Sequence, residues 1–239
     1  MRIQRALARA GVASRRHAEE LVAAGRVKVN GKPATIGQSV DPSRDRITVD
    51  DAPIEAPPTA RQAVWTLLHK PSGVVTTRRD PQQRPTVFEL VPDAPGLTYV
   101  GRLDFMTEGV LLLTTDGTAA NALTHPSRGI ERTYVATVRG NVARAAREVR
   151  SGVDLEDGPV NAVDVDAHPI GNGRYEFQVT ITEGRNREVR RLCEAVGLDV
   201  ERLVRTRFGP VELGRLKLGA HRPLTRPERA AIAKIAAQK

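Results

Sequence analysis

The sequence predicts an α+β protein: a small helix-and-hairpin domain over residues 1–54, a linker over 55–62, and a larger domain with a mainly antiparallel sheet over 63–239. Three observations carry this. Strand-like alternation outnumbers helical spacing beyond residue 63, and the two rarely alternate one for one, which argues against a doubly wound parallel sheet. The first 54 residues combine two short apolar-periodic stretches with two hairpin signals. Between the parts lies Glu55-Ala56-Pro57-Pro58-Thr59-Ala60, whose paired prolines favour an extended spacer.

Ile3, Leu7 and Ala10 share a helical face, and Gly11 closes that helix. Ser14 is placed as the N-cap of a second helix carrying Ala18, Leu21 and Val22, which stops at Gly25. Val27-Lys28-Val29 followed by Asn30-Gly31 announces a hairpin, and Ile47-Thr48-Val49 followed by Asp50-Asp51 announces another. In the larger domain strands are expected over Trp65–His69, Gly73–Thr77, Thr98–Val100, Val110–Thr115, Tyr134–Val138, Val163–Ala167, Tyr175–Thr182 and Leu203–Phe208. Helices are expected over Thr118–Thr124, Val142–Ser151, Arg187–Val196 and Arg226–Ala237.

The 239 residues are 40% hydrophobic but only 3% aromatic, so the core must be built from Val, Leu, Ile and Ala. No apolar run approaches the roughly 20 residues that span a bilayer, so no membrane partner is expected. The N-terminus lacks the apolar stretch of a secretory signal. The one cysteine, Cys193, allows no internal disulfide and reads as a small core residue, which fits a cytoplasmic location. The net charge of +9 suggests a polyanionic partner. Residues 1–40 hold eight basic side chains (Arg2, Arg5, Arg9, Arg15, Arg16, Arg26, Lys28 and Lys32) against Glu19 and Glu20. About six of the nine net charges therefore sit in one-sixth of the chain. A segment too small for a substrate pocket and this basic favours phosphate binding.

Several chemistries find no support. Neither G-x-x-x-x-G-K-[ST] nor a strand-following G-x-G-x-x-G occurs, so no nucleotide cofactor is expected. Asp164, Asp166 and His168 would share one strand face, but nothing beside them supplies a fourth ligand, so no metal is expected. No G-x-S-x-G elbow supports a hydrolase triad. Glu108, four residues from Asp104, is weak support for a glycosidase carboxylate pair.

The most informative segment is Gly101-Arg102-Leu103-Asp104-Phe105-Met106-Thr107-Glu108-Gly109, a glycine-bounded loop between strand-like runs with one carboxylate at its centre. With VLLLTTDG after it, the segment resembles the catalytic motif of uridine-to-pseudouridine isomerases, specifically those that modify ribosomal RNA through an added N-terminal S4 domain. GVASRRHAEELVAAGRVKVNG resembles that S4 RNA-binding domain along its whole length, and the resemblance implies that the second helix and its following hairpin face RNA. HKPSGVVT resembles the family's first, structural motif. DPQQRPTVF resembles a loop of the branch acting on large-subunit RNA, and FGPVELGRLKLGAHRPLT resembles the closing segment. Met106 occupies a variable position and Val110 replaces a common leucine.

The resemblance implies roles. Asp104 is the catalytic carboxylate, attacking C1′ or removing the C2′ proton; the sequence leaves both routes open. Tyr134, in ERTYVATV, stacks on the target base. Arg190, in EGRNREVRRL, pairs with Asp104, although residue type alone does not separate it from Arg185, Arg187 and Arg191. Arg102 fills the gap left by the flipped base. RNA contacts are expected from Arg5, Arg15, Arg16, Arg26, Lys28, Lys32, Arg185 and Arg187. The expected activity is isomerisation of a uridine in 23S ribosomal RNA by a monomer without cofactor, closest to the RluB-like large-subunit branch. The rivals are the RsuA-like small-subunit branch and a non-catalytic ribosome-assembly factor. A DNA-binding regulator would need a base-reading helix that is not visible.

Overall fold

The computed structural model describes residues 1–54 and 63–238, so the proline-rich linker expected over 55–62 lies outside the described residues. The elements run in chain order: α1 (Ile3–Arg9), α2 (Arg15–Ala23), β1 (Val27–Val29), β2 (Lys32–Pro33), β3 (Ile47–Val49), β4 (Ala52–Pro53), β5 (Trp65–Lys70), β6 (Thr98–Val100) and β7 (Thr107–Thr114). Then follow α3 (Gly117–Thr124), β8 (Arg132–Arg139), α4 (Val142–Ser151), β9 (Val153–Leu155), β10 (Gly158–Val160), β11 (Asp164–Gly171) and β12 (Arg174–Ile181). The chain closes with α5 (Glu188–Ala195), β13 (Asp199–Phe208), β14 (Val211–Glu212), β15 (His221–Pro223) and α6 (Arg226–Ala237).

The described residues pack into two compact units. The first holds Met1–Trp65 with the short segments Pro92–Thr98 and Leu113–Thr118. Its helices bury Ile3, Ala6 and Leu7 from α1 and Ala18, Leu21 and Val22 from α2, each set at i, i+3, i+4 spacing, against Val27, Val29 and Ile47. Ser14 caps α2 by accepting from the His17 amide at 3.2 Å. Asn30 and Gly31 both take left-handed conformations, as do Asp50 and Asp51, and these are the dihedrals a two-residue hairpin turn needs. Gly96 explains the inclusion of Pro92–Thr98: a Cβ there would sit 2.6 Å from the Arg9 carbonyl. Arg5 adds a hydrogen bond to the Thr118 hydroxyl at 2.9 Å.

The second unit holds Thr66–Val91, Tyr99–Leu112 and Ala119–Lys239. The large sheet runs β11-β12-β8-β13-β7-β5-β15, with β14 paired to β13 and β6 to β7. Among the pairings with a defined register, all are antiparallel except β13 with β7. Every residue of β5 and β7 is buried, the pattern of strands covered on both faces, and VLLL reads accordingly as an unbroken apolar run.

Two expectations need correction. Gly73–Thr77 is not a strand; it makes a single parallel bridge, Val75 to Thr86. Its polar groups turn elsewhere, because the Gly73 amide donates to Phe105 and the Thr76 hydroxyl to Leu103. The helix expected from Arg187 starts at Glu188, since Arg187 lies at φ +47°. The hairpin β9–β10 was not expected from sequence, because its three-residue strands are too short to show a period of two.

Candidate active site

Asp104 sits on a loop whose carbonyls from Leu103 to Thr107 are all engaged. Thr76 Oγ1 donates to the Leu103 carbonyl at 2.9 Å. The Thr107 amide donates to Asp104 at 3.0 Å and the Gly73 amide to Phe105 at 2.9 Å. Arg190 Nη2 donates to Met106 at 3.0 Å. Lys70 Nζ donates to Thr107 at 2.9 Å, to Phe105 at 3.3 Å and to Pro71 at 2.9 Å. Five consecutive carbonyls, Leu103 to Thr107, are thereby fixed around one carboxylate. Gly109 locks the far side: it lies at φ +110°, and a Cβ there would collide with the backbone of Arg205 on the neighbouring strand.

Lys70 is fully buried. Burial lowers its pKa to about 8 against the opposing pull of Asp104 and Glu108, with Arg205 adding to the lowering. The residue comes from HKPSG, which the sequence marks as structural. Its chemistry here is to hold the aspartate loop by charge-assisted bonds.

The floor of the site follows from strand alternation. Arg132 and Tyr134 of β8 line a cavity of about 380 Å³, while Thr133 faces a second cavity on the opposite side of the sheet. Arg205 pairs with Tyr134 across to β13, and Phe208 pairs with Arg132. A register shift between Arg205 and Arg207 brings Phe208 to the same face as Arg205. The guanidinium carbons of Arg205 and Arg132 lie 4.8 and 5.3 Å from the Phe208 ring centre. Arg132 donates to the carbonyls of Ile130, Thr182 and Glu183 at 3.0, 2.6 and 2.8 Å. Arg205 donates Nε to Val110 at 2.9 Å, while its buried Nη2 has no hydrogen-bond partner among the described residues. Neither Arg132 nor Arg205 stands out in the sequence as a pocket residue. The available signal is the period of two, which puts Arg132 on the face of Tyr134.

The remaining wall is the segment Gly184–Arg190. Asp157, at the β9–β10 turn, accepts two bonds from Arg191 at 2.9 and 2.8 Å and one from Arg185 at 3.0 Å. Arg185 also donates to the Gly158 and Pro159 carbonyls at 2.9 and 2.6 Å and to buried Glu188 at 3.1 Å. The Arg191 guanidinium holds the Asp157 carboxyl below the usual carboxylate range. This hairpin fixes the entry to α5, from which Arg187 projects into solvent and Arg190 turns toward the aspartate loop. Arg190 reaches that loop through the main chain of Met106, and its Nε is buried without a partner among the described residues. Burial lowers the Arg190 pKa, Arg187 adds to this, and Asp104 opposes it. Three segments that are far apart in sequence, carrying Asp104 with exposed Arg102, Tyr134, and Arg187 with Arg190, thus line one cavity.

The other candidates lie elsewhere. Arg15, Arg16 and Lys32 are exposed, Arg26 pairs with Asp50 and Lys28 with Asp51 on the hairpin surface, and Arg5 is bound to Thr118. Glu108 pairs with Arg202 at 2.6 Å. Asp166 and His168 form an exposed contact at 3.0 Å, and among the described residues no three His, Cys, Asp or Glu converge to hold a metal ion. Cys193 is buried, which raises its thiol pKa to about 12. No described helix is long and apolar enough to cross a membrane.

Comparison with known proteins gives a consistent picture. Residues 64–195 match the RNA pseudouridylate synthase family, and residues 1–47 match the S4 domain. The chain is 46% identical over 233 residues to ribosomal large subunit pseudouridine synthase B of Pseudomonas aeruginosa, which covers 95% of this chain and 60% of that one. It is 47% identical over 218 residues to the protein of the same name from Escherichia coli K12, covering 89% and 75% of the two chains. A solved structure described as a pseudouridylate synthase superposes with a TM-score of 0.67 at 27% identity, over 97% of this chain and 99% of that one. The chain therefore spans about three-fifths of the length of the Pseudomonas relative.

Replacing Lys70 by Met should lower turnover on the order of 10²-fold, because a loosened loop misplaces the carboxylate. Wild-type activity should fall as pH rises past about 8, since a neutral amine has two protons for three carbonyls. Stability should move the other way. The folded pKa of Lys70 is below its unfolded value, so between about 8 and that value the unfolded state binds more protons and the cost of burying the charged amine is progressively relieved. A pH–rate profile beside urea titrations checks both; a wild-type profile unchanged through pH 8, or the same step near 8 in the Met variant, contradicts the clamp. Asp157→Asn should reduce kcat about tenfold or more, with a smaller change in KM, because it weakens charged hydrogen bonds that fix the Arg190 segment. Asp157→Glu should recover part of the loss, and equal kinetics for all three proteins would remove the hairpin from the mechanism.

Proposed function

Because this chain belongs to the RNA pseudouridylate synthase family, carrying an S4 domain at residues 1–47, we propose that it isomerises a uridine in large-subunit ribosomal RNA. The observation that carries this reading is the fixed Asp104 loop facing Tyr134 across a cavity with cationic walls. The names of the Pseudomonas and Escherichia relatives favour the large-subunit target over the small-subunit one. The proposed division is residues 1–54 as RNA anchor, 55–62 as linker and 63–239 as catalytic domain. The protein acts in the cytoplasm as a monomer.

The reaction breaks the C1′–N1 bond, turns the uracil, and joins C5 to C1′, the proton lost from C5 being balanced by one gained at N1. Asp104 starts it, either by attacking C1′ or by removing the C2′ proton. On both routes the carboxylate must react while ionised, and the cationic groups of Lys70 and Arg190 lie around its loop. Tyr134 lies against the base. Detached uracil carries the electrons of the broken bond on N1 and its carbonyl oxygens. Buried Arg132 and Arg205 keep the floor positive, which suits that anion. Arg102 occupies the space the flipped nucleotide leaves, since extruding a base requires its stack to be filled. Arg15, Arg16, Lys32 and Arg187 are the exposed phosphate contacts. Arg5, Arg26 and Lys28 contribute while bound within the protein. Arg185, held at four acceptors, fixes its loop and acts on RNA through that loop.

Asp104→Asn should abolish isomerisation and leave RNA affinity close to wild type. Tritium release from 5-labelled uridine in a ribosomal RNA transcript reads the first, and filter binding the second; turnover within a few fold of wild type would refute the assignment. Reversing Arg15, Arg16 and Lys32 to Glu should weaken binding and flatten its salt dependence. Every phosphate that is no longer neutralised lowers the log–log slope by roughly 0.7–0.9, so the triple variant should change it by about two units. An unchanged slope would make this basic face an ordinary solvated surface.

A further inference from the structure

We propose that Phe105, with Arg84 beside its ring, is a stacking platform for the unpaired nucleotide adjoining the target uridine. The inference rests on the RNA-modifying reading above and extends it to a neighbour of the reacting base.

Four phenylalanines occur in the chain. Phe177 and Phe208 are buried core residues and Phe88 is half-buried, whereas Phe105 is 39% exposed and the adjacent Met106 is 55% exposed. This exposure is not slack in the fold. The carbonyls of both residues are tied down, Phe105 by Gly73 and Lys70 and Met106 by Arg190. The loop therefore presents two apolar side chains from a rigid base, where a core-seeking sequence would have buried them.

Their position is set by the cavity. Asp104 and Thr107 line it, and the two exposed residues between them in the chain lie next to that lining without belonging to it. A uridine bound at Asp104 is joined to nucleotides on both sides, and the exposed Phe105 ring, one residue from Asp104, is within reach of one of these.

The second component is Arg84. Its guanidinium carbon lies 5.6 Å from the Phe105 ring centre. It is held there by Asp80 through a fork, Nε to Oδ2 at 2.9 Å and Nη2 to Oδ1 at 2.7 Å, and the Arg84 amide donates to the same carboxylate at 2.9 Å. Those bonds lower the Asp80 pKa to about 2, so the pair persists throughout the neutral range. An aromatic face next to a locked planar cation is the arrangement that accepts a splayed nucleobase: the ring and guanidinium stack on it, and the charge meets its phosphate. Two exposed apolar side chains offer too little area for a stable protein interface, and the surrounding charge, with exposed Arg102 nearby, complements RNA.

The test uses the full chain. Phe105→Ala should keep the wild-type urea midpoint and raise KM for a large-subunit ribosomal RNA transcript about tenfold or more, the range expected for base–aromatic stacking, with kcat little changed. Phe105→Tyr should restore the wild-type KM. In Phe105→Trp the new indole should be quenched by single-stranded oligoadenylate and not by duplex RNA, while the wild-type emission, from the buried Trp65, stays constant. An unchanged KM in Phe105→Ala, or an unquenched Phe105→Trp, overturns the platform. The reading beneath it fails differently: if the wild type forms no pseudouridine while Phe105→Trp is quenched by single strands, the stacking surface stands and the isomerase assignment falls.

Discussion

A carboxylate proposed to react has to be held by its backbone, because its own oxygens must stay available. In this protein the constraint is met by occupying every carbonyl from Leu103 to Thr107. The donors come from a buried ammonium, a threonine hydroxyl, two amides and a guanidinium. Three of the five, Lys70, Gly73 and Thr76, lie in one short segment about thirty residues upstream. That segment gives up strand pairing to serve the loop, which accounts for the missing strand at Gly73–Thr77.

The sheet supplies the rest of the pocket by arithmetic of side chains. A period of two puts Arg132 and Tyr134 on one face of β8, and a register shift in β13 puts Arg205 and Phe208 there together. Without the shift, Arg207 would follow Arg205 onto that face. Instead it pairs with Glu131 at 2.6 Å on the other side. The hairpin at Asp157 plays for Arg190 the part that Lys70 plays for Asp104. In both cases a charged group bound to neighbouring segments fixes the one proposed to act on the substrate.

Much of this was legible in the sequence for identifiable reasons. Helices with a cap and a closing glycine, such as the one after Ser14, were readable because local chemistry sets both ends. Val142–Ser151 was readable because Ala145, Ala146 and Val149 recur at helical spacing. The apolar run VLLL marked a central strand. Asp104, Tyr134, Arg187 and Arg190 were drawn from motifs, and the fold brings them to one cavity, although their roles remain proposals. The illegible part is what depends on distant contact. Lys70 looks like any lysine until two carbonyls from the distant aspartate loop converge on it beside that of Pro71. Arg185 and Arg191 resemble Arg187 in sequence, and it is contacts with Asp157 and its hairpin that separate held from exposed. The strand at Gly73–Thr77 failed because its β-branched residues have the right propensity and the wrong partners.

The central claim is that Asp104 on this fixed loop converts one uridine of large-subunit ribosomal RNA to pseudouridine. The most direct measurement maps pseudouridines across ribosomal RNA, by carbodiimide modification and primer extension, in cells lacking this chain and in cells resupplied with it. The account predicts one site missing from large-subunit RNA, restored by the wild-type chain and not by Asp104→Asn. An unchanged map, or restoration by the Asn variant, would contradict it.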